Sequence, residues 1–163
     1  MQNFTEIQAL MKSELDLMNK ILVDRLDSNV DLISQMSQYI INSGGKRIRP
    51  LLLLICAKAT EYDGDYHYSM AVVIELIHTA TLLHDDVVDQ SVTRRGQETA
   101  NELWGNAPSV LVGDFLYSRA FEIMVEPNSM EIMRILSKAT NQISEGEVLQ
   151  LLNIKNANVT QAE

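Results

Sequence analysis

One stretch decides the fold of this chain: YSMAVVIELIHTATLLHDDVVD, residues 68–89. It is nearly all apolar, and apolar residues fall on every side when it is drawn as a helix. A helix of that kind belongs at the centre of a larger helical bundle. The stretch therefore predicts a buried central helix that ends in three carboxylates, Asp85, Asp86 and Asp89.

These carboxylates have the spacing of a cation site. Asp85 and Asp89 are four residues apart and share a helix face at about 5–6 Å, and Asp86 lies about 100° around the helix. A small carboxylate set suits Mg²⁺, which keeps waters and takes other ligands from phosphates. Arg94 and Arg95 follow and offer planar forks for the same phosphates. From the residues alone, the alternative is a solvated acidic helix end followed by a basic turn.

Composition excludes several classes of partner. The 163 residues favour one domain, and 46% hydrophobic with 21% charged residues indicates a folded core. A formal net charge of −9 argues against nucleic acid and anionic membranes as partners. Any phosphate site must then be a local basic pocket or depend on a metal.

Cys56 is the only cysteine, so no disulfide can form within the chain. That usage is typical of a reducing cytoplasm. The most apolar run, Leu51–Ala57, is too short to span a bilayer. We expect a soluble cytoplasmic protein without a membrane span.

Apolar residues recur at intervals of three and four along the rest of the chain, which is the helical period. Strand-like alternation and internal repeats are not evident. The expected helical segments are Phe4 to Arg25, Val30 to Ile41 with Ser28 or Asn29 as cap, Pro50 to Ala59, Tyr68 to Asp89, Thr99 to Trp104, one that begins at Pro108 and ends before Pro127-Asn128, and Ser129 to Leu152.

A second charged stretch, Ser43-Gly44-Gly45-Lys46-Arg47-Ile48-Arg49-Pro50, places three cations in a turn between helices. Glycine permits close approach by a ligand, and the cations suit phosphate oxygens. The alternative is a glycine helix stop followed by basic residues that complement the helix dipole.

His78 lies seven residues before Asp85, within about 20° of the same helix face and about 10 Å away along the axis. The alternative is a core histidine with satisfied hydrogen bonds. His84 points elsewhere and is expected to be structural. Asp114, next to Gly113 in an apolar helix, is expected to be a buried carboxylate that needs a partner. Glu145 and Glu147 are expected on an exposed face.

The motifs together resemble the trans-type polyprenyl diphosphate synthases, and within them the bacterial octaprenyl diphosphate synthases. The matching stretches are ordered from the second helix onward: Gly44–Pro50, Glu75–Asp89, Arg94-Arg95-Gly96, Gly113-Asp114-Phe115-Leu116 and Glu145-Gly146-Glu147. The resemblance implies an all-α isoprenoid-synthase-type helical bundle. It implies that an allylic diphosphate, such as farnesyl diphosphate, is elongated by isopentenyl diphosphate to an all-trans product for quinone side chains, by a homodimer.

The resemblance also implies roles for individual residues. Mg²⁺ ions that bridge to the allylic diphosphate would be held by Asp85, Asp86 and Asp89. The allylic diphosphate would also contact Arg94. The diphosphate of isopentenyl diphosphate would be held by Lys46, Arg49, His78 and Arg95. Arg47 belongs to the motif without a settled role.

Product length in this family is limited by side-chain bulk below the carboxylates. Thr81 and Ala80 stand four and five residues before Asp85 and are small where short-chain synthases tend to carry an aromatic residue. This implies a deep tunnel and a medium-to-long product, with octaprenyl diphosphate expected. The alternative is ordinary helix packing by small residues.

The sequence departs from the family in one respect. No second Asp-rich motif follows residue 89, although the family binds further Mg²⁺ there. Thr160-Gln161-Ala162-Glu163 reads as a capping box that begins a helix, after the connector Asn156-Ala157-Asn158. We expect residues 1–163 to be a single all-helical fragment, the N-terminal half of a longer protein, inactive by itself.

Two other functions remain open. The chain could be a non-catalytic subunit of a heteromeric prenyl synthase, although such subunits tend to lose the Asp-rich motif or the paired arginines that are retained here. It could also be a helical interaction protein without a ligand.

Overall fold

The computed structural model describes residues 3–154, 156–157 and 160. Within that part the chain is all-α apart from one small hairpin, which confirms the fold class. The elements are α1 Phe4–Leu10, α2 Lys12–Asp24, α3 Asp31–Asn42, α4 Ile48–Ala59, α5 Tyr66–Val88, β1 Thr93–Arg94, β2 Gln97–Glu98, α6 Ala100–Trp104, α7 Asn106–Met124 and α8 Met130–Asn153. Most of the expected capping box, Gln161 to Glu163, lies outside the described residues, as does Asn158 of the connector.

Contacts divide the chain into two compact units, within residues 1–127 and 128–163. The first contains α1 to α7 and the hairpin. Its central element is α5, which contacts α2, α4, α6 and α7. Val72, Val73 and Leu76 on α5 are fully buried, and each such side chain contributes about 1.5–3 kcal/mol through burial. The prediction of a buried central helix is confirmed.

The second unit is built on α8. The Ser129 hydroxyl accepts a hydrogen bond from the Ile132 amide at 3.4 Å and caps the helix start. Glu145 and Glu147 are exposed, as expected.

Several helix boundaries differ from the prediction by one or two residues. Pro50 and Pro108, expected to begin helices, occupy the third position of α4 and α7. The first four amide groups of a helix have no partner within it, so proline is tolerated there without losing a hydrogen bond. Val30 precedes α3 in place of the expected cap, and its amide donates to the Ser28 hydroxyl at 3.2 Å. The first helical segment divides at Met11 into α1 and α2.

The hairpin is a correction to the expectation of a chain without strands. Thr93 pairs with Glu98 and Arg94 with Gln97 in antiparallel register. The two residues between the strands, Arg95 and Gly96, both have positive φ, of 55° and 79°. Positive φ at both central positions is typical of tight hairpin turns. The strands are too short to show a two-residue period in the sequence.

Among the described helices, none is long and apolar enough to cross a membrane. Cys56, although it lies within an apolar run, is exposed on α4.

Candidate functional site

The α3–α4 segment, residues 43–49, runs from the end of α3 into the first turn of α4 and forms one wall of a cationic cleft. The cleft has a volume of about 470 Å³. Its lining residues are Gly45, Lys46, Arg47, Ile48, Arg49, Glu75, His78 and Arg95. The structure therefore brings together the four residues predicted to hold the diphosphate of isopentenyl diphosphate. They come from three places in the sequence: the α3–α4 segment, the middle of α5 and the hairpin turn.

His78 contributes a neutral hydrogen-bonding group to this cleft. Its ring is half-buried, and its Nε2 lies 3.3 Å from Nη1 of Arg49, which can only donate. Burial lowers the pKa of His78 below 6.5, and the positive charges of Arg49, Arg95 and Arg94 lower it further, against the opposing effect of Glu75. The imidazole is therefore suited to accept from Arg49 through Nε2 and to donate through Nδ1.

Arg95 reaches the cleft from the tip of the hairpin. A Cβ atom added to Gly45 would lie 2.6 Å from Nη1 of Arg95, which is closer than non-bonded atoms approach. The absent side chain of Gly45 thus provides the space that the guanidinium occupies. The left-handed backbone of Arg95, at φ 55°, aims the side chain from a turn position that usually favours glycine or asparagine.

The structure adds one residue that the sequence interpretation did not single out. Glu75 is buried on α5 and forms an ion pair with Arg47, with side-chain exposures of 8% and 15%. Arg47 also donates to the carbonyl oxygen of Ile41 at 3.1 Å. The sequence feature that could have indicated Glu75 is its position as a lone acid within the apolar α5 stretch, one helical turn before His78.

A second cluster lies at the carboxyl end of α5. Asp86 is buried at 4% exposure, and both of its carboxylate oxygens accept from Nε of Arg94, at 2.9 and 3.0 Å. Nη2 of Arg94 lies 2.7 Å from Oδ1 of the same carboxylate. The hydrogen bond to Asp86 raises the pKa of Arg94. The predicted metal ligand Asp86 and the predicted phosphate contact Arg94 are thus bound to each other.

Asp85 and Asp89 lie one turn apart at the end of α5, where the Asp89 amide donates to the Asp85 carbonyl at 2.8 Å. The carbonyl end of a helix carries partial negative charge, so acids there are unfavourable without a cation. The last turn of α5 contains no basic residue. In the part of the chain that the structure describes, no three acidic, histidine or cysteine side chains form a ready metal site. This donor set fits a hard divalent cation that takes most of its ligands from water and phosphate.

The two residues assigned to product length occupy different environments. Ala80 is fully buried in the core, whereas Thr81 is half-buried and its hydroxyl donates to the His78 carbonyl at 2.8 Å. Their role in product length stays a prediction.

The expectation of a buried Asp114 is wrong. Its side chain is 62% exposed, and its Oδ1 lies 3.4 Å from Nε2 of His84, on the facing helix. His84 Nε2 also lies 3.2 Å from the Val110 carbonyl. A Cβ atom on Gly113 would come within 2.3 Å of the same ring nitrogen. Gly113 therefore permits close contact between α5 and α7, with His84 in a packing role.

The chain is 48% identical to octaprenyl diphosphate synthase of Escherichia coli over 98% of its own length and 49% of that protein. It is 42% identical to an all-trans-nonaprenyl-diphosphate synthase (geranyl-diphosphate specific) of Rhodobacter capsulatus, over 90% of the chain and 45% of that protein. The chain spans about half the length of the curated relatives it matches.

Among solved structures, a polyprenyl synthase from Caulobacter crescentus complexed with calcium and isoprenyl diphosphate superposes with a TM-score of 0.94. The identity is 46%, over 98% of this chain and 49% of that one. The family model of polyprenyl synthetase matches residues 30–163. The chain belongs to the polyprenyl synthetase family.

Proposed function

We propose that this chain is part of a prenyltransferase that elongates an allylic diphosphate with isopentenyl diphosphate. The product is a medium- or long-chain all-trans polyprenyl diphosphate. The observation that carries the proposal is the convergence of Lys46, Arg49, His78 and Arg95 on one cleft. Three cations beside a neutral imidazole match the charge and the acceptor-rich oxygens of a diphosphate.

The two charged regions have separate tasks. The cationic cleft binds isopentenyl diphosphate and orients its alkene toward the end of α5. Asp85, Asp86 and Asp89 would hold Mg²⁺ beside the allylic diphosphate, and Arg94 would contact that diphosphate. Mg²⁺ bound at these carboxylates supplies positive charge to the departing diphosphate. Arg94 adds hydrogen bonds to the same oxygens once its pairing with Asp86 opens.

The condensation replaces a carbon–oxygen bond of the allylic substrate with a carbon–carbon bond. The allylic carbon–oxygen bond breaks and the diphosphate leaves with the electron pair. The alkene of isopentenyl diphosphate attacks the allylic cation, and a new carbon–carbon bond forms. A proton leaves the adjacent carbon, and the departed diphosphate is the expected base. Because both substrates are held at fixed sites, proximity supplies much of the acceleration.

Octaprenyl diphosphate is the proposed product, for a quinone side chain. Ala80 and Thr81 are small where short-chain synthases tend to carry an aromatic residue, which supports a long product because pocket shape sets such discrimination. The relatives named above make octaprenyl and nonaprenyl products, as their names state. Replacement of Thr81 by Phe in the full-length enzyme would shorten the product, which reversed-phase chromatography would detect.

The 163-residue chain by itself is proposed to be inactive or nearly so, since its sequence contains a single Asp-rich motif. The retained motif and arginines favour a catalytic chain over a non-catalytic subunit of a heteromeric synthase. The full-length enzyme is proposed to act as a homodimer, which light scattering would test.

The experiment that tests the function measures binding of two ligands to the chain. Isopentenyl diphosphate should bind without metal. A non-hydrolysable allylic diphosphate analogue should protect the chain from proteolysis only with Mg²⁺. The control is the variant Arg25→Met, which removes a guanidinium outside the cleft. Absence of binding by both ligands would contradict the proposed function, and normal elongation by the 163-residue chain would contradict its inactivity.

A further inference from the structure

We infer that Arg47 and Glu75 form a positioning pair, whose contact holds the α3–α4 segment in the geometry that lets Lys46 and Arg49 bind a diphosphate. The inference rests on the proposed function and adds two residues to it. Neither residue is expected to touch the substrate.

The backbone of Arg47 supplies the first observation. It has φ 49° and ψ 35°, in the left-handed region, at the residue that precedes α4. A non-glycine residue in this region is strained and persists only where its surroundings hold it. Gly44, three residues earlier, has φ 79°. The cleft wall is therefore a segment whose backbone needs external restraint.

The side chain of Arg47 provides that restraint. Its guanidinium pairs with the buried Glu75 carboxylate on α5 and donates to the Ile41 carbonyl near the end of α3. One side chain thus connects α3, the start of α4 and the middle of α5. A lysine at this position would hold the two partners less well, because its ammonium lacks the fixed fork of arginine.

A second contact lies one helical turn along α5. Glu75 and His78 are three residues apart and share a face of α5. Arg47 contacts the first, and Arg49 lies 3.3 Å from the ring nitrogen of the second. The start of α4 therefore meets α5 through two adjacent pairs. Loss of the buried pair would remove one of these two contacts between the start of α4 and α5.

The negative charge of Glu75 makes the two explanations predict opposite changes in anion affinity. Among the residues that line the cleft, Glu75 is the single carboxylate. Simple electrostatics predicts that its removal would tighten anion binding. A positioning role predicts the opposite, because Arg49 and Lys46 would lose their alignment. Whether the affinity rises or falls therefore distinguishes a purely electrostatic effect of Glu75 from a positioning role.

The experiment titrates inorganic diphosphate into the chain in the presence of a metal chelator, by calorimetry, for the wild type and for Glu75→Gln. The affinity of Glu75→Gln should fall about tenfold, the loss expected from one charge-assisted contact. Asp16→Asn, which breaks the exposed Lys12–Asp16 pair, should bind as the wild type does. A second variant, Arg47→Lys, keeps the charge and should bind about threefold more weakly.

Circular dichroism of every variant would separate loss of binding from loss of folding. Equal or tighter binding by a folded Glu75→Gln chain would overturn the inference. If Glu75→Gln does not fold, Arg47→Lys decides, and its unchanged affinity would overturn the inference. If the wild type itself fails to bind inorganic diphosphate, the cleft is not a diphosphate site, and the proposed function and the positioning pair both fall. If the wild type binds and the variants do not differ from it, only the positioning pair is rejected.

Discussion

The middle of α5 and its carboxyl end differ in how the protein compensates the charges of their side chains. At the middle, Glu75 pairs with Arg47 and the neutral His78 contacts Arg49, so the buried carboxylate there already has a cation from the protein. At the end, Arg94 pairs with Asp86 and also attracts Asp85 and Asp89, and these acids lie at the carbonyl end of the helix. A site for an anion can be built from protein cations before the ligand arrives. A site for a metal–anion pair remains electrostatically unfavourable until the metal is bound.

The largest expected effect would come from the ion pair between Arg94 and Asp86 at the carboxyl end of α5. Arg94→Met leaves the Asp86 carboxylate buried without its cation, and it should lower the free energy of unfolding by about 2 kcal/mol. Urea denaturation would measure it. Arg134→Met, in the exposed pair with Glu131, is the control and should change stability by less than about 0.5 kcal/mol. Equal effects of the two substitutions would show that the Arg94 pair contributes no more than a surface contact.

A smaller effect, on binding, would test the prebuilt cleft. Arg49→Met should weaken the metal-free binding of inorganic diphosphate about tenfold, because one charge-assisted contact is lost. Arg25→Met, which removes a guanidinium paired with Glu126 outside the cleft, should bind normally. Calorimetry would compare them. Unchanged affinity of Arg49→Met would show that the diphosphate does not bind at the cleft.

A substitution at the acidic carboxyl end of α5 is expected to raise the stability of the metal-free chain, whereas Arg94→Met lowers it. Asp89→Asn removes one negative charge at the carbonyl end of α5 and should raise the free energy of unfolding of the metal-free chain by about 0.5 kcal/mol. With Mg²⁺ present the wild type should be more stable than Asp89→Asn, because the wild type gains more stability from the cation. Thermal melts with and without Mg²⁺ would show both changes. Destabilisation of the metal-free variant would show that the attraction between Asp89 and Arg94 outweighs the repulsion from the helix carbonyl end.

The smallest effect concerns pH. The pKa of His78 is lowered in the folded chain, so between that value and 6.5 the unfolded chain binds more protons. Stability from this group is present above pH 6.5 and is lost as the pH falls through the folded pKa. His78→Gln should make the unfolding free energy less dependent on pH in that window. Unfolding curves at about pH 5.5 and pH 7.5 would measure it. If the pH dependence of the unfolding free energy were the same in the variant, folding would not change the protonation of the His78 ring.

Much of this architecture could be predicted from the sequence because helices depend on local periodicity. The central position of α5 follows from apolar residues on every face. The convergence of Lys46, Arg49, His78 and Arg95 was implied by family resemblance. The contact between Arg47 and Glu75 was not predicted, since the two are separated by 28 residues and meet only in the folded chain.

Asp114 shows where sequence neighbours mislead. The residues around it are apolar, yet a helix turns by about 100° per residue, so the neighbour of a buried position can face solvent. Gly113 is buried against His84, whereas the Asp114 side chain is 62% exposed. The left-handed backbone of Arg95 was equally invisible, because that conformation is uncommon outside glycine and asparagine.

Because α5 is one uninterrupted helix from Tyr66 to Val88, it fixes the angular phase between the two charged regions as well as their separation. His78 and Asp85 are about 10 Å apart along its axis and almost on the same face. Insertion of one residue between them would rotate one region by about 100° relative to the other. Insertions and deletions in this stretch should therefore be far less tolerated than substitutions, because side-chain chemistry can change while helical phase cannot.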